Sequence, residues 1–416
     1  MSNSNKYLLP LHTLFTWRYF KAKRSVQAIT IIARITGISI AVGTAALLIV
    51  LSIFNGFEGL VKDLYASFYP DIRITHKKIS FFEIDSLQVS RIRTINGIKQ
   101  ISLTTESNAI FLYENNRVNL VLKGVDENYG EVSGLPDKMI KGNFITGNAE
   151  QPYVVIGSAI EHALQLQTDR SLVPVTAYLP KKNAAITGNP MEAISTFNIY
   201  PSGAFSIQQE FDNRYAITDI SIIQQMLGVS QQSYSGLEIK LQPHADQDQI
   251  IQSLQSLLGA QYEIEDRYQQ NRTLYTIMQS EKWVIFGILS FILILASFNM
   301  IGTLTLMILE KEKDIQILKS LGAKESFILN IFMGESLLLG LSGGLAGFLI
   351  AWIFCFLQET FHLIPLQGSF VINYYPVDMK VSDVLLVMAT ITCIAFSAGI
   401  YPAWKASKKN LSLKGH

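Results

Sequence analysis

Paired carboxyl groups are the first candidates for chemistry in this sequence, because two acids at a suitable distance can act together as acid and base. Glu210 and Asp212 form such a pair in the polar middle of the chain. Acids two positions apart are common on protein surfaces, so this spacing alone predicts no catalytic site. A phosphate-binding loop would need a Gly-Lys dipeptide, and the sequence contains none. We therefore predict no catalytic residues and no enzyme activity.

The histidines and cysteines predict no metal site. Six His are scattered along the chain, with no two spaced four apart as a metal-binding helix face would need. Cys355 and Cys393 both lie in apolar runs, where they are predicted to be small buried hydrophobic side chains. We therefore expect no metal and no cofactor on this chain.

Glu335 is an acid within an otherwise apolar segment, roughly three turns past Ala323 on a predicted helix. An ionisable group inside a membrane is costly and is therefore a candidate functional site. With no Lys or Arg in the same apolar run, two interpretations stay open. Glu335 either makes a polar contact that packs helices together or takes part in transport.

The segment from Glu310 to Ser326 predicts a short amphipathic helix that ends at Gly322. Ile315, Leu318 and Leu321 fall on one face with Ile317 beside them, and Glu312 and Lys313 are placed at the polar rim of that face. Such a helix lies on a membrane surface or in a groove of a partner. Four Lys against four acids in the segment favour a protein partner.

Four glycines in the third apolar run predict close helix packing. Gly340 and Gly344, and then Gly343 and Gly347, form two overlapping pairs of small residues four apart. This spacing lets helix backbones approach closely, within one chain or between chains.

The elements that carry these residues follow from the distribution of charge. The chain has 416 residues, of which 49% are hydrophobic and only 16% charged, which is too apolar for an ordinary soluble domain. A helix needs roughly 20 apolar residues to cross a bilayer core of about 30 Å. Four runs meet this requirement and predict transmembrane helices at residues 28–54, 282–309, 326–358 and 384–404.

Lys and Arg in short flanking segments predict the orientation. Basic residues are concentrated in 1–27, in the 310–323 helix with its flanks, and in the 405–416 tail. The 1–27 segment is a basic amphipathic N-terminus, and the prediction places it in the cytoplasm with the other two. The large 55–281 segment and the 359–383 loop are then predicted to lie outside the cytoplasm.

Residues 55–281 alternate between strand-like and helical pieces, which predicts an α+β domain. Its length leaves room for either one or two lobes. The strand-like pieces are 71–75, 108–113, 117–123, 153–156, 173–179 and 237–241, and the clearest helices are 220–227 and a stretch before Gly259. A stretch rich in Gly, Pro and Asn at 181–203 predicts a long surface loop or a projecting hairpin.

Several motifs resemble one family, the FtsX-like permeases of ABC transporters, and within it the lipoprotein-releasing LolC/LolE-type proteins. The resemblance rests on Trp17 to Phe20, LSIFNGFE at 51–58, EKEKDIQILKSLGA at 310–323 and YPAWKAS at 401–407. Looser matches in the outer domain are Gly124 to Asp126, Gly157 and the run from Gly203 to Asp212. The matching pieces follow the family's order along essentially the whole chain.

The resemblance implies an α-helical membrane protein of the MacB-type permease architecture, with four transmembrane helices and a large two-lobed α+β extracytoplasmic domain. It implies that the 310–323 segment is the coupling helix, docked on a separate ABC ATPase subunit that binds ATP and Mg. It further implies a second permease copy or a paralogue, a bacterial inner-membrane location with both termini in the cytoplasm, and a hook at 181–203 for a periplasmic lipoprotein carrier.

Three functions are compatible with the predicted architecture. The first is the release of lipoproteins from the inner membrane, driven by ATP hydrolysis on the partner. The second is a MacB-like or FtsX-like task, such as peptide or antibiotic export or the control of cell-wall hydrolases. The third is a membrane receptor, which would need a cytoplasmic output domain that the sequence does not predict.

Overall fold

The computed structural model describes residues 13, 15, 16, 27–169, 173–182, 193–366 and 374–408. These residues form two compact units. The first unit contains residues up to Gly59, from Ile277 to Leu366 and from Tyr374 onward; the second contains Leu60–Thr276. Most of the predicted 1–27 segment, and the tail after residue 408, lie outside the described residues.

The helices, in chain order, are α1 Gln27–Phe68, α2 Ser86–Arg93, α3 Tyr129–Val132, α4 Ser158–Leu164, α5 Gln209–Asp212, α6 Ile220–Leu227, α7 Gln247–Leu258, α8 Arg267–Gln270, α9 Arg272–Glu310, α10 Glu312–Ser320, α11 Glu325–Phe361 and α12 Val381–Ser407. The strands are β1 Ile72–His76, β2 Phe82–Glu83, β3 Ile98–Tyr113, β4 Asn116–Val125, β5 Met139–Gly142, β6 Tyr153–Gly157, β7 Val175–Pro180, β8 Ile194–Phe205, β9 Tyr215–Asp219, β10 Ser233–Tyr234, β11 Gly236–Leu241 and β12 Tyr262–Asp266.

Four of the helices, α1, α9, α11 and α12, are long and apolar enough to cross a membrane. Each of the four predicted spans lies within one of them. The helices extend beyond the uncharged runs: α1 continues past residue 54 to Phe68, and α9 begins at Arg272 rather than near 282. The end of α1 stays helical because Val61, Leu64, Tyr65 and Phe68 repeat at helical spacing and are all buried.

The second unit is built on a ten-stranded sheet. Six of the strands close into a ring, because β3 pairs with β4, β4 with β9, β9 with β6, β6 with β8, β8 with β7, and β7 again with β3. The first part of β3 also pairs with β11, which continues through β1 to β12. The sixteen residues of β3 therefore belong to both the ring and the open part of the sheet.

The described residues of this unit include two separate hydrophobic cores. One lies inside the ring and includes Phe111, Leu122 and Ile156; the other lies against the open part of the sheet and includes Ile72, Ile101 and Leu254. The strands and helices predicted for the 55–281 segment are present, including α6 at the predicted 220–227. An α+β composition is thus confirmed.

The 181–203 stretch is not a loop throughout. Residues 194–203 belong to β8, which pairs with β7 up to Pro180 opposite Ile194. The Lys181 amide donates to the Ala193 carbonyl at 2.8 Å, which closes the base of a hairpin. A hairpin is therefore the correct alternative for the described residues, and its tip at 183–192 lies outside them.

Candidate functional site

The short helix α10 follows α9 with only Lys311 between them and ends, as predicted, before Gly322. Gly322 has a φ of +87°, in the left-handed region that favours glycine. The Ala323 amide donates to the Leu318 carbonyl at 3.0 Å and so satisfies one of the last carbonyls of the helix. The bend that separates α10 from α11 is thus fixed by backbone geometry.

Ile315 does not lie on an outward face of α10, which corrects the sequence prediction. Its side chain is 3% exposed and belongs to a hydrophobic cluster of the same chain with Ile308, Ile328, Phe332, Met333, Ala403 and Ala406. Leu318 is half-buried, whereas Ile317 is 57% and Leu321 79% exposed. The apolar surface that α10 presents is therefore Ile317 and Leu321, four residues apart.

The polar residues of α10 include one that bonds to α12 and two that lie near its exposed apolar pair. Lys319 donates from Nζ to the Ser407 carbonyl at the end of α12, at 2.8 Å. Lys313 is exposed, four residues before Ile317 on the same helical face, and Glu312 is half-buried in the first turn. Ile315 and Lys319 together hold α10 against the helices of its own unit.

The four predicted packing glycines lie where helices approach each other within this chain. A Cβ at Gly343 would lie 3.0 Å from the Gly37 carbonyl oxygen, and one at Gly347 would lie 2.4 Å from the Ala41 carbonyl oxygen, both on α1. Gly340 and Gly344 instead face Ala395 and Ile391 of α12. The two glycine pairs therefore seat α11 against α1 and α12, respectively.

Replacing Gly347 with Ala should destabilise the helical unit by about 1–3 kcal/mol, because the added methyl group must displace the backbone of α1. Gly302→Ala on α9 is the matched control, since nothing lies within 4 Å of a Cβ at that position. The measurement is the thermal unfolding midpoint of both variants in the same detergent. Equal midpoints would contradict the assigned close approach.

Glu335 is 2% exposed on α11. The next residue, Ser336, donates from Oγ to the Ala395 carbonyl at 2.6 Å and so joins α11 to α12. Glu335 thus lies in a tightly packed part of the helical unit. Its role in packing or in transport stays a prediction.

The cysteines differ from each other. Cys355 is buried as predicted, whereas Cys393 is exposed on the surface of the chain, which corrects its assignment as a buried side chain. An apolar run does not say which side of a membrane helix faces its neighbours. Among the described residues no group of three His, Cys, Asp or Glu could hold a metal ion.

A cluster of polar side chains joins three of the long helices and was not found from the sequence. Lys282 of α9 donates from Nζ to both carboxylate oxygens of Asp383 on α12, at 3.1 and 3.0 Å, and to Oδ1 of Asn55 on α1, at 2.9 Å. Asn55 Nδ2 donates to Asp383 Oδ2 at 2.6 Å. We call these three residues the three-helix polar cluster. Lys282 lies directly before its uncharged run and Asp383 close before its own, so sequence reasoning treated both as boundaries only.

The second unit contains a buried network of four charged side chains. Lys123 Nζ lies 2.5 Å from Glu238 Oε1 and 3.3 Å from Glu106 Oε1, and Arg73 Nη2 lies 3.2 Å from the same Glu106 oxygen. The ammonium group of Lys123 also lies over the rings of Phe68 and Tyr129, at 5.2 and 5.0 Å from their centroids. The network therefore connects β1, β3, β4 and β11 with the last residue of α1.

The charges in this network shift the pKa values of its members. Burial raises the pKa of Glu106, but the charges of Arg73 and Lys123 outweigh burial and bring it to about 2. Burial lowers the pKa of Lys123, and the Glu238 carboxylate outweighs it and holds that pKa well above its ordinary value. Glu106 and Lys123 are therefore both charged at neutral pH.

The Glu106 shift predicts a pH dependence. The pKa of Glu106 in the folded protein lies below its ordinary value of 4.5. The ionised Glu106 carboxylate therefore adds its full contribution to the free energy of unfolding above about pH 4.5, and this contribution is lost as the pH falls toward 2. The stability difference between the wild type and Glu106→Gln should therefore be largest at pH 7 and shrink below pH 4.5. The measurement is the unfolding midpoint of both proteins from pH 7 to pH 3. Glu263→Gln, at an exposed position of β12, is the control. If the midpoints of the wild type and Glu106→Gln differed by the same amount at every pH, the lowered pKa of Glu106 would be wrong.

Glu210 and Asp212 make contacts with different residues. Glu210 accepts a hydrogen bond from the Tyr65 hydroxyl near the end of α1. Asp212 is 3% exposed and accepts from the Ile207 amide and the Ser206 hydroxyl, both at 2.9 Å. The two carboxylates thus serve different structural contacts.

Aromatic rings hold the end of α1 in the second unit. The ring of Phe211 lies 5.0 Å from Tyr65, 4.7 Å from Phe68 and 5.6 Å from Tyr69, between centroids. The ring of Phe68 also lies 4.5 Å from that of Tyr215 on β9. Rings at these distances stabilise each other beyond the burial of their apolar area. The last turn of α1 is therefore firmly attached to the strands.

An open groove of about 600 Å³ lies beside the base of the β7–β8 hairpin. Its lining includes Ile110, Val121, Tyr178, Ile194 and Arg214. The base itself is fixed to the end of α6, since the Lys182 amide donates to the Leu227 carbonyl at 3.2 Å. The described residues thus place an apolar surface next to a hairpin with an anchored base.

Four apolar helices and a strand-rich unit define a membrane-spanning protein with one large domain between its first two spans. Residues 35–257 match the MacB-like periplasmic core domain, and residues 286–411 match the FtsX-like permease C-terminal domain. The chain therefore belongs to the family of FtsX-like permeases with a MacB-like periplasmic core domain. The family resemblance drawn from the motifs is confirmed.

The chain is also similar to individual relatives and to a solved structure. The chain is 23% identical to the lipoprotein-releasing system transmembrane protein LolC of Xylella fastidiosa, over 96% of this chain and 97% of that protein. It is 22% identical to the macrolide export ATP-binding/permease protein MacB of Neisseria gonorrhoeae, over 93% of this chain and 59% of that protein. The periplasmic region of MacB from Actinobacillus actinomycetemcomitans matches with a TM-score of 0.36 and 14% identity, over 51% of this chain and 94% of that one.

Proposed function

We propose that this chain is the permease subunit of an ABC transporter that releases lipoproteins from the bacterial inner membrane. ATP and Mg bind to a separate ATPase subunit, and hydrolysis there moves the strand-rich unit of this chain. The observation that carries the proposal is the similarity to a lipoprotein-releasing transmembrane protein over 97% of that protein's length. The chain itself supplies binding surfaces and moving elements rather than catalytic groups.

Helix α10 is the proposed contact with the ATPase. Its exposed apolar pair, Ile317 and Leu321, suits a hydrophobic groove, and Lys313 and Glu312 are the proposed polar rim. Because Ile315 and Lys319 tie α10 to its own unit, a movement of the ATPase at Ile317 and Leu321 would reach α9, α11 and α12 directly. Leu318 is half-buried on the same helix.

The topology and the remaining partners belong to the same proposal. Both termini and α10 lie in the cytoplasm, and the strand-rich unit lies in the periplasm as two lobes, one around each of its hydrophobic cores. The β7–β8 hairpin is the hook for a periplasmic lipoprotein carrier, and its anchored base supports that role. A second copy or a paralogue of this permease completes the transmembrane part.

Export of a peptide or an antibiotic is the second candidate function. The similarity to a macrolide export protein over 93% of this chain favours it. In that case the same movements of the strand-rich unit would act on a soluble substrate. Control of cell-wall hydrolases, a further task of FtsX-like permeases, would use the same movements on a third class of partner.

Purification from native membranes in a mild detergent, followed by identification of the associated proteins, tests the proposal first. We expect an ATPase, a second permease chain and triacylated lipoproteins. The complex is then placed in proteoliposomes loaded with a triacylated lipoprotein, and its release into solution by ATP and a soluble carrier is measured. An associated ATPase without lipoprotein release would favour export or hydrolase control, and the absence of any ATPase would overturn the transporter proposal.

A further inference from the structure

The three-helix polar cluster has a position that simple helix packing does not require. Asn55 is 1% exposed and Asp383 is 7% exposed, so the charged contact with Lys282 is largely removed from solvent. Every polar atom of the Asn55 side chain is used, because Nδ2 also donates to the Asp378 carbonyl at 3.1 Å. Taking two charges out of water is costly, so a buried ion pair adds little net stability compared with apolar side chains in the same place. The presence of this ion pair therefore points to a role other than stabilising the fold.

The segment before α12 is fixed across α1 beside this cluster. The Asp378 amide donates to the Ser52 carbonyl at 2.9 Å. A Cβ at Gly56 would lie 2.4 Å from the Pro376 carbonyl oxygen, so only glycine allows this approach. These contacts hold Asn55 and Asp383 in register with each other. Lys282 is the one member of the cluster that comes from a helix outside this arrangement.

Helix α9 is the least enclosed of the four long helices. In its most apolar stretch 17% of the residues are buried, compared with 28–44% in the other three. Its side chains Val284, Ile288, Phe291 and Leu295 are about half or more exposed along one side. Polar contacts with α1 are therefore important for the position of α9. One is the contact of Lys282 with Asn55. Another lies further along the helix, where the Thr303 hydroxyl is 2.7 Å from the Thr36 hydroxyl.

The course of the chain gives this helix a special place. Helix α9 begins two residues after α8, which follows β12, and its last residue is separated from α10 by Lys311 alone. It therefore connects α10 to the strands with only the four-residue α8 between them. A side-chain contact that sets the orientation of α9 acts on both ends of this connection.

We propose that Asn55, Lys282 and Asp383 are positioning residues that hold the first part of α9 against α1 and α12, in the orientation from which the ATP-driven movement starts. The contact between Lys282 and the other two residues opens during the cycle and re-forms afterwards. This inference rests on the proposed function where it is tested by lipoprotein release, but not where it is tested by distances within the chain.

The first test compares variants of the full complex in proteoliposomes. Lys282→Met removes the charge and keeps a long apolar side chain, and Lys282→Arg keeps the charge. We expect the complex that contains Lys282→Met to hydrolyse ATP at a rate within about twofold of the wild-type complex. The amount of lipoprotein that it releases per ATP should fall about tenfold. Lys282→Arg and the charge-reversed double variant Lys282→Asp/Asp383→Lys should both release more lipoprotein per ATP than Lys282→Met does.

Thr303→Val is the matched control, because it removes the other buried polar contact between α9 and α1. It should lower the unfolding midpoint without changing the lipoprotein released per ATP. If assembled Lys282→Met releases as much lipoprotein per ATP as the wild type, the cluster is only a packing contact and the proposal is wrong. A double variant no better than Lys282→Met would overturn it as well.

The second test needs no cargo. Cys355 and Cys393 are replaced by Ser, and spin labels are attached at Gln279→Cys and Val381→Cys, two exposed positions near the first parts of α9 and α12. We expect one label distance without nucleotide and a different one after trapping with ATP and vanadate. In Lys282→Met the distance without nucleotide should already be shifted or broadened. Identical distances in both proteins would overturn the inference, whereas absence of lipoprotein release in every variant would overturn the proposed function alone.

Discussion

Replacing Lys123 with Met should lower the free energy of unfolding of the strand-rich unit by about 3–5 kcal/mol, the usual cost of breaking a buried ion pair. Lys123 is 2% exposed and Glu238 is 1% exposed. Without Lys123, the buried Glu238 carboxylate loses the cation that lies 2.5 Å from it, whereas Glu106 keeps its contact with Arg73. The measurement is denaturant or thermal unfolding of the full chain in detergent, followed through signals of the strand-rich unit.

Two variants show whether burial is the cause of this loss. Lys240→Met on β11 removes a more exposed cation that lies 3.6 Å from Asp71, which keeps its shorter contact with Arg267. That change should cost less than about 1 kcal/mol. The double variant Lys123→Met/Glu238→Leu should regain much of the stability, because no unpaired charge remains. Similar losses for Lys123→Met and Lys240→Met would contradict the buried network.

Placing aspartate at Ile317 and Leu321 together should uncouple ATP hydrolysis from transport. An unpaired charge in an apolar groove costs several kcal/mol, and each 1.4 kcal/mol changes an affinity about tenfold. We therefore expect a loss of at least about tenfold in ATPase binding or in transport per ATP. The measurement is ATPase recovery with the purified permease, together with lipoprotein release in proteoliposomes.

Conservative and displaced changes on the same helix test this assignment. Ile317→Met/Leu321→Met keeps the surface apolar and should preserve coupling. Gln316→Glu adds a charge next to the pair but away from its face, and it should have a small effect. Ile315→Asp should instead destabilise the helical unit itself, because Ile315 lies in its buried cluster. Unchanged coupling in the double aspartate variant would remove α10 from the ATPase contact.

Some of this architecture could be predicted because its signals are local. Uncharged runs predict four long helices, and alternating residues predict strands such as β4 and β11. Helices often end just before a glycine with positive φ, so the end of α10 shortly before Gly322 could be predicted directly. Each of these features depends on neighbours within a few residues.

Other features depend on residues far apart in the chain. An amphipathic pattern shows that Ile315 and Leu321 are apolar, but not that one is covered by Phe332 and Ala403 while the other is exposed. Asn55, Lys282 and Asp383 are separated by hundreds of positions, and each alone is an ordinary polar residue near the end of an apolar run. The sequence of one chain contains no local signal for such a meeting.

The closed ring of β3, β4, β9, β6, β8 and β7 has a mechanical consequence for the hairpin that extends from it. Strand β8 is bonded to β7 in its first part and lies between β6 and β5 in its last part. Strand β7 is bonded to β3 as well as to β8. Separating these strands by a pull on the β7–β8 hairpin means shearing several hydrogen-bonded ladders at once instead of peeling one edge. We therefore expect the ring to pass a load at its hairpin on to the rest of the unit.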